Sequence, residues 1–148
     1  MKPDPQAFLE TMAAKLMFEM APQAQPPFMQ GTMTVLGIML TMLREEWDRA
    51  AARRVEENAA LRRLFREAAA VVRDEPLGRR LAEASATSDA SLRLADLDLA
   101  NDHLRGLLIE LHAYVETEHG EAARHLEADI WRELVASTER RRFTIAPF

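Results

Sequence analysis

The feature that most restricts the fold is a helical pattern of 45 residues, from Met29 to Arg73, that contains no proline. Its apolar residues recur at intervals of three and four, which places them on one face of an α-helix. A straight helix of this length would span ~68 Å. We therefore expect it either to kink near Gly37 or to extend beyond its own bundle. The predicted inner face consists of Met29, Met33, Leu36, Leu40, Leu43, Trp47, Ala51, Leu61, Phe65 and Val72.

Proline, glycine and capping residues divide the rest of the chain into further helices. Asp4 and Pro5 are a typical N-cap and first helical residue, and predict a helix that runs to Met20. The three prolines in residues 21–28 predict a stiff linker. The other predicted elements are a short helix from Pro76 to Ala84, a polar turn at 85–89, a helix at 90–119, a left-handed C-cap at Gly120, and a helix at 121–139.

These elements predict an all-α, up-and-down helical bundle of about four main helices plus one short helix. No segment alternates apolar and polar residues with a period of two, so no strand is expected. The size of the chain favours a single domain over residues 1–148. Within it, 1–28 would hold the first helix and the linker, 29–139 the bundle core, and 140–148 a tail.

The composition argues against several classes of protein. The net charge is -5, which makes nucleic acid a poor partner. The absence of cysteine excludes disulfides and thiolate metal ligands. The first residues lack a signal-peptide pattern, and the apolar run from Met33 to Leu43 is too short to cross a bilayer. A cytoplasmic protein without membrane contact is therefore expected. Lys2 and Lys15 are the only lysines, and this arginine excess favours a bacterial, GC-rich origin.

Polar residues interrupt the apolar faces of two predicted helices at corresponding heights. Arg54 and Asn58 fall on the inner face of the long helix, and Asn101 lies between two inward leucines of the helix at 90–119. A buried amide without a partner costs ~1–3 kcal/mol, so the two asparagines are predicted to interact directly or through one water, with Arg54 nearby. They form either a pair that fixes helix register or a ligand pocket in which Arg54 binds a carboxylate or phosphate. A third alternative is that Arg54 extends to solvent.

A second polar group is formed by histidines and a glutamate. His112, Glu116 and His119 are spaced at i, i+4 and i+7, and His125 follows the Gly120 turn. This spacing makes the four residues the best candidates for a divalent metal such as zinc or iron. No cofactor is predicted, because a helix end beside a turn is usually hydrated and a fourth ligand is not evident. A divalent metal stays the alternative.

The sequence does not determine the function, but it favours one class. There is no glycine-rich phosphate loop and no nucleophile elbow, so an enzyme is not favoured. The segment from Met29 to Leu43 is apolar on nearly every side, and such a helix must be buried on every side. We expect a non-enzymatic interaction or structural module that forms a homodimer through this segment. The alternative is a bundle enzyme that binds a small molecule or metal through one of the two polar groups.

Overall fold

The computed structural model describes residues 4–144, of which 84% are helical. The helices are α1 (Pro5–Ala14), α2 (Pro27–Ala69), α3 (Glu75–Ser85), α4 (Leu94–Thr117) and α5 (Glu121–Arg141). Between α1 and α2 lie a π-helical segment, Lys15–Met20, and a 3-10 turn, Ala21–Gln23. Residues 4–144 contain no strand, and the predicted all-α bundle with a long second helix is confirmed. The last four residues of the predicted tail lie outside the described range.

The N-terminal helix boundaries follow from capping and proline. The Asp4 carboxylate accepts hydrogen bonds from the backbone N–H groups of Gln6 (3.1 Å) and Ala7 (3.2 Å), as predicted for an N-cap. α2 begins at Pro27, two residues earlier than predicted, because proline suits the first helical position. The helix continues unbroken through Gly37.

Three predicted boundaries in the second half of the chain were displaced. α2 ends at Ala69 because Asp74 must be extended to cap α3, where its carboxylate accepts from the Leu77 N–H (2.8 Å). α4 begins only at Leu94, since Asp89 in the preceding loop is held by side chains of α2. Gly120 was predicted to be a left-handed C-cap, but it is the N-cap of α5, with φ 118° and ψ 179°. This positive φ favours glycine.

The described part of the chain divides into two compact units. The N-terminal unit comprises residues 4–50 and 143–144, and the C-terminal unit comprises residues 51–142. α2 contributes residues to both. The single domain expected from chain length stays a prediction.

The C-terminal unit has an apolar core to which four helices contribute. Its centre contains one completely buried side chain from each of them: Phe65 of α2, Leu81 of α3, Leu111 of α4 and Ile130 of α5. Burying a side chain of this size contributes roughly 1.5–3 kcal/mol. These four side chains, which belong to one buried cluster, pack the four helices together. The other core residues are Leu61, Leu64, Ala68, Leu77, Leu104, Leu107, Leu108, Val115 and Leu126.

The N-terminal unit contains an antiparallel helical hairpin. The Gln6 amide donates to Asp48 (2.8 Å), and Glu10 pairs with Arg44 (3.5 Å), so α1 and the first half of α2 run in opposite directions. Further along, Met17 packs directly against Gly37. Among residues 4–50 and 143–144, the buried positions are small residues only: Ala13, Ala21, Gly37 and Ala50. The hairpin therefore has a close helix–helix contact but no large buried side chain.

The predicted inner face of α2 was wrong for four of the six residues in its N-terminal half. Trp47 retains 63% of its surface in solvent, and Met29, Leu36 and Leu43 are also exposed. Met33 and Leu40, which lie nearer to Gly37 around the helix, are half-buried. The physical reason is that α1 and the π-helical segment pack on the side of α2 where Gly37 allows close approach. Most of the apolar stripe that periodicity identified is thus left outside the hairpin.

We predict that Gly37→Ala destabilises the protein, although alanine is the better helix former. A Cβ atom at this position would overlap the Met17 side chain and lie 3.1 Å from the Ala13 carbonyl oxygen. Overpacking of this kind costs ~1–3 kcal/mol. Gly106→Ala on α4 is the matched control, because its Cβ would meet nothing within 4 Å. Gly106→Ala should gain up to ~1 kcal/mol in helix propensity. Urea unfolding measures both, and equal stabilisation by the two substitutions would contradict the close contact.

Candidate functional site

The two asparagines predicted to meet are in contact. Asn101 Nδ2 on α4 donates to Asn58 Oδ1 on α2 at 2.9 Å, and both side chains are buried. Asn58 Nδ2 in turn donates to the Leu97 carbonyl (3.3 Å) and to Asp89 Oδ1 (3.0 Å). The predicted direct interaction inside the bundle is therefore confirmed. The pair links two helices and the loop before α4 through amides that need no external partner.

Asp89 extends this network to the surface of α2. Its Oδ1 atom also accepts a hydrogen bond from Arg62 Nη2 (2.7 Å), and Arg62 Nε donates to the Thr87 hydroxyl (3.0 Å). One carboxylate oxygen thus receives both a buried amide and a guanidinium. Because these donors lie on the same helix, they hold the loop before α4 at a fixed height along α2.

Glu57, next to Asn58 in sequence, is the most unusual residue of the site, since its side chain is only 1% exposed. Arg141 of α5 binds it with two parallel hydrogen bonds, Nε to Oε1 (2.7 Å) and Nη2 to Oε2 (2.8 Å). Arg54 Nη1 donates to Oε2 (3.0 Å), and the Ser137 hydroxyl donates to Oε1 (3.2 Å). Both oxygens of this buried carboxylate therefore have two partners each.

The partners of Glu57 keep it ionised. Burial by itself would raise the pKa of this carboxyl group, because a charge is poorly solvated in the interior. The hydrogen bonds and positive charge of Arg141, followed by those of Arg54, outweigh burial and lower the pKa to about 2. A carboxylate with such a low pKa is unsuited to general acid or base catalysis near neutral pH, where the two proton states must both be accessible.

Arg54 was predicted to bind a ligand, but in the structure its guanidinium forms hydrogen bonds with two carboxylates of the protein. In addition to Glu57, Arg54 binds Asp98 of α4 through Nε. Burial opposes protonation, but the hydrogen bond and charge of Asp98 raise the pKa of Arg54 above its usual value. The alternative that Arg54 simply extends to solvent is thus not observed. A role for Arg54, Asn58 and Asn101 in binding a ligand stays a prediction.

Sequence reasoning missed several members of the site. Glu57 resembled the many other glutamates that alternate with arginine along α2, and Arg141 was assigned to the tail. The one available signal was position: Glu57 lies beside a polar interruption of the apolar stripe and three residues after Arg54. The structure places the start of the tail after Arg141, which ends α5.

The candidate metal ligands are less closely grouped. His112 Nε2 lies 3.9 Å from the Glu116 carboxylate, and the His112 ring packs edge-on against Trp131 at 5.5 Å. His119 and His125 are exposed. Within residues 4–144, no three histidine, aspartate or glutamate side chains are arranged to hold a metal ion.

No protein family, curated protein sequence or solved structure matches this chain significantly. Between residues 4 and 144, none of the helices combines the length and the apolar character that crossing a membrane requires.

We predict that acidification destabilises the protein through Glu57. The folded-state pKa of about 2 lies below the usual pKa of 4.5 for an unperturbed glutamate. The unfolded chain therefore takes up the proton first, and the stabilisation present above pH 4.5 is lost as the pH falls towards 2. Glu57→Gln should lower the unfolding free energy at pH 7 by ~1–3 kcal/mol, because the partly exposed guanidiniums of Arg54 and Arg141 lose an ionised partner and the buried amide cannot accept from all the same donors. It should also flatten the dependence of stability on pH over this interval.

The matched control for Glu57→Gln is Glu110→Gln, which changes a carboxylate that forms an exposed pair with Arg80. Solvent screens such pairs, so little change in stability is expected at pH 7. Urea titrations from pH 7 to pH 2.5 compare the two variants with the wild type. Parallel pH profiles for the wild type and Glu57→Gln would rule out the assigned role of Glu57.

We also predict that Asn58 and Asn101 are energetically coupled. Asn58→Leu and Asn101→Leu should each destabilise the protein by ~1–3 kcal/mol, because each leaves a buried amide without its partner. The double variant should cost less than the sum, with a coupling of ~0.5–3 kcal/mol. Asn58→Leu combined with Arg80→Ala is the control pair and should be additive. Additivity in both cycles would show that the hydrogen bond contributes nothing to stability.

Proposed function

We propose that this protein is a non-enzymatic helical interaction module that forms a homodimer through the exposed face of its N-terminal hairpin. The observation that supports this proposal most strongly is the distribution of side-chain size in the hairpin. Its fully buried residues are alanines and a glycine, whereas none of its large apolar side chains is fully buried and many are exposed.

The exposed apolar side chains of α2 lie on one face. At 100° per residue they fall within an arc of about 120°. We call this the α2 face; it consists of Phe28, Met29, Val35, Leu36, Met39, Leu43 and Trp47. Phe28 is 80% exposed and Met39 58%. Gly37 points to the opposite side, where it contacts Met17, so α1 does not compete with a partner for this surface.

The size of the α2 face suits a protein partner. If each of its seven side chains leaves roughly 100 Å² in water, the face offers about 700 Å² of apolar surface. The largest apolar patch of a typical monomer is only about 300–600 Å², whereas a stable interface buries about 800 Å² on each partner. The α2 face thus approaches the area that a stable interface needs.

The surface is also grooved, as a docking site for side chains would be. One groove, of about 560 Å³, is lined by Leu16, Leu36, Met39, Leu40, Met42, Leu43, Glu46 and Phe143. A second groove, of about 390 Å³, is lined by Phe28, Gly31, Thr32, Val35 and Leu36. Leu36 lines both, so the two grooves adjoin at this residue. Methionine side chains adapt readily to an incoming apolar group.

Residues 143 and 144, which follow α5, help to form the first groove. The Thr144 backbone N–H donates to both oxygens of Glu45 (2.9 and 3.0 Å), and its hydroxyl donates to the same carboxylate (2.8 Å). These bonds hold the adjacent Phe143 in the groove wall. Hydrogen bonds thus hold the part of the proposed docking surface that Phe143 forms in one position.

A second copy of the chain is the partner that fits best. A two-helix hairpin cannot enclose a core, whereas a second copy whose α2 face packs against the first would cover the exposed apolar side chains of both. The net charge of -5 disfavours nucleic acid as the partner. The alternative of a ligand-binding enzyme is less supported, since the donors of Asn58 and Arg54 already have partners within the protein. We infer that the dimer acts in the bacterial cytoplasm, where a chain without cysteine needs no oxidising environment.

We predict a dimer at micromolar concentration that Met39→Glu disrupts. The substitution would bury a carboxylate in each half of an apolar interface, so the dimer should weaken by at least about tenfold, or ~1.4 kcal/mol. Multi-angle light scattering over a concentration series measures this, with circular dichroism to verify helicity. Ile109→Glu is the control because Ile109 is 70% exposed on α4, in the C-terminal unit. A monomeric wild-type protein would exclude the proposed function.

A further inference from the structure

We propose that the two copies pack with their α2 helices antiparallel, about a two-fold axis that passes close to Met39. This inference rests on the proposed homodimer and specifies its geometry. It follows from the order of large, small and charged residues along the α2 face.

The spacing of this face is nearly symmetric about Met39. Thr32 and Leu36 precede Met39, and Leu43 and Trp47 follow it, and the members of each pair are four positions apart. In an antiparallel pair centred there, Leu36 of one copy meets Leu43 of the other, and Thr32 meets Trp47. All four positions lie on the same side of the helix at 100° per residue, so a two-fold axis brings them together.

Side-chain volume favours this arrangement. Trp47 is large and 63% exposed. The positions that an antiparallel partner places opposite it are the small residues Gly31 and Thr32, and a Cβ at Gly31 would meet no atom within 4 Å, so there is open space beside them. Antiparallel packing thus places the tryptophan of each copy over small residues of the other. Parallel packing would place the two tryptophans against each other and Thr32 against Thr32, a poorer match of volumes for a closely packed contact.

Charge favours the same arrangement. From Phe28 to Leu43 the α2 face is uncharged, but Glu46, which lines the first groove, follows within the same arc. In a parallel pair, the Glu46 carboxylates of the two copies would face each other across an apolar contact. Like charges opposed in this way disfavour an interface. In an antiparallel pair each Glu46 lies against the uncharged end of the other copy.

Cysteine cross-linking tests the geometry without interference, because the chain has no cysteine of its own. Leu36→Cys and Leu43→Cys are made separately in the full chain, oxidised singly and as an equimolar mixture, and analysed on non-reducing gels. In the antiparallel dimer, the two residues at position 36 are ~10 Å apart along the axis. That exceeds the roughly 7 Å between Cα atoms that a disulfide can bridge. Each single variant should therefore stay uncross-linked.

The mixture should give at least about tenfold more disulfide-linked dimer than either single variant, because position 36 then meets position 43. Met39→Cys should cross-link by itself, and Ile109→Cys, on α4, should not. Self-cross-linking of Leu36→Cys and of Leu43→Cys would indicate parallel packing and overturn the inference while leaving the dimer intact. A dimer in light scattering without any of these cross-links would place the interface elsewhere. A monomer would remove the inference together with the proposed function.

Discussion

The packing of the C-terminal unit depends on the burial of one charge, the carboxylate of Glu57. An ion removed from water loses several kcal/mol of solvation unless opposite charges and hydrogen bonds replace it. Here Arg141 donates a hydrogen bond to each carboxylate oxygen, and Arg54 and Ser137 each donate one more. The double contact with Arg141 requires the end of α5 to lie at one height along α2, since both nitrogens must reach both oxygens. The burial of the Glu57 carboxylate therefore requires one register between α2 and α5.

The asparagine pair fixes the position of α4 along α2 in a similar way. Asn58 bonds Asn101, the Leu97 carbonyl and Asp89, so one side chain positions a helix and the loop that precedes it. Within the same unit, Phe65 and its neighbours form an apolar core that would tolerate small shifts of one helix along another. The polar contacts contribute little net free energy, but a shift by one turn would leave each of them unpaired. Apolar burial supplies stability, and the polar layer selects one arrangement.

The contrast between Asn58 and Glu57 shows what the sequence could reveal. Asn58 and Asn101 were predictable because each interrupts an apolar stripe, where an amide needs a partner. Glu57 was not, because a glutamate among arginines on a helix is usually a solvated residue. Its burial depends on Arg141, 84 residues away, and no local pattern specifies that contact. Likewise, Gly120 was recognised as a helix boundary, but the helix that it caps was misassigned, since a glycine with positive φ suits either end.

The N-terminal hairpin shows a further limit, which concerns what covers an apolar stripe. Periodicity identifies which residues of α2 share a face, but the same pattern results whether that face meets the chain's own core or another molecule. The sizes of the buried residues show how the hairpin itself packs. Where Gly37 meets Met17 and Ala13, the helices approach closely, and none of the large apolar side chains in residues 4–50 is fully buried. Met39 and Trp47, elsewhere on α2, are exposed. Close packing on one side of α2 therefore leaves part of its apolar surface in solvent, an outcome that periodicity alone does not distinguish from burial in a core.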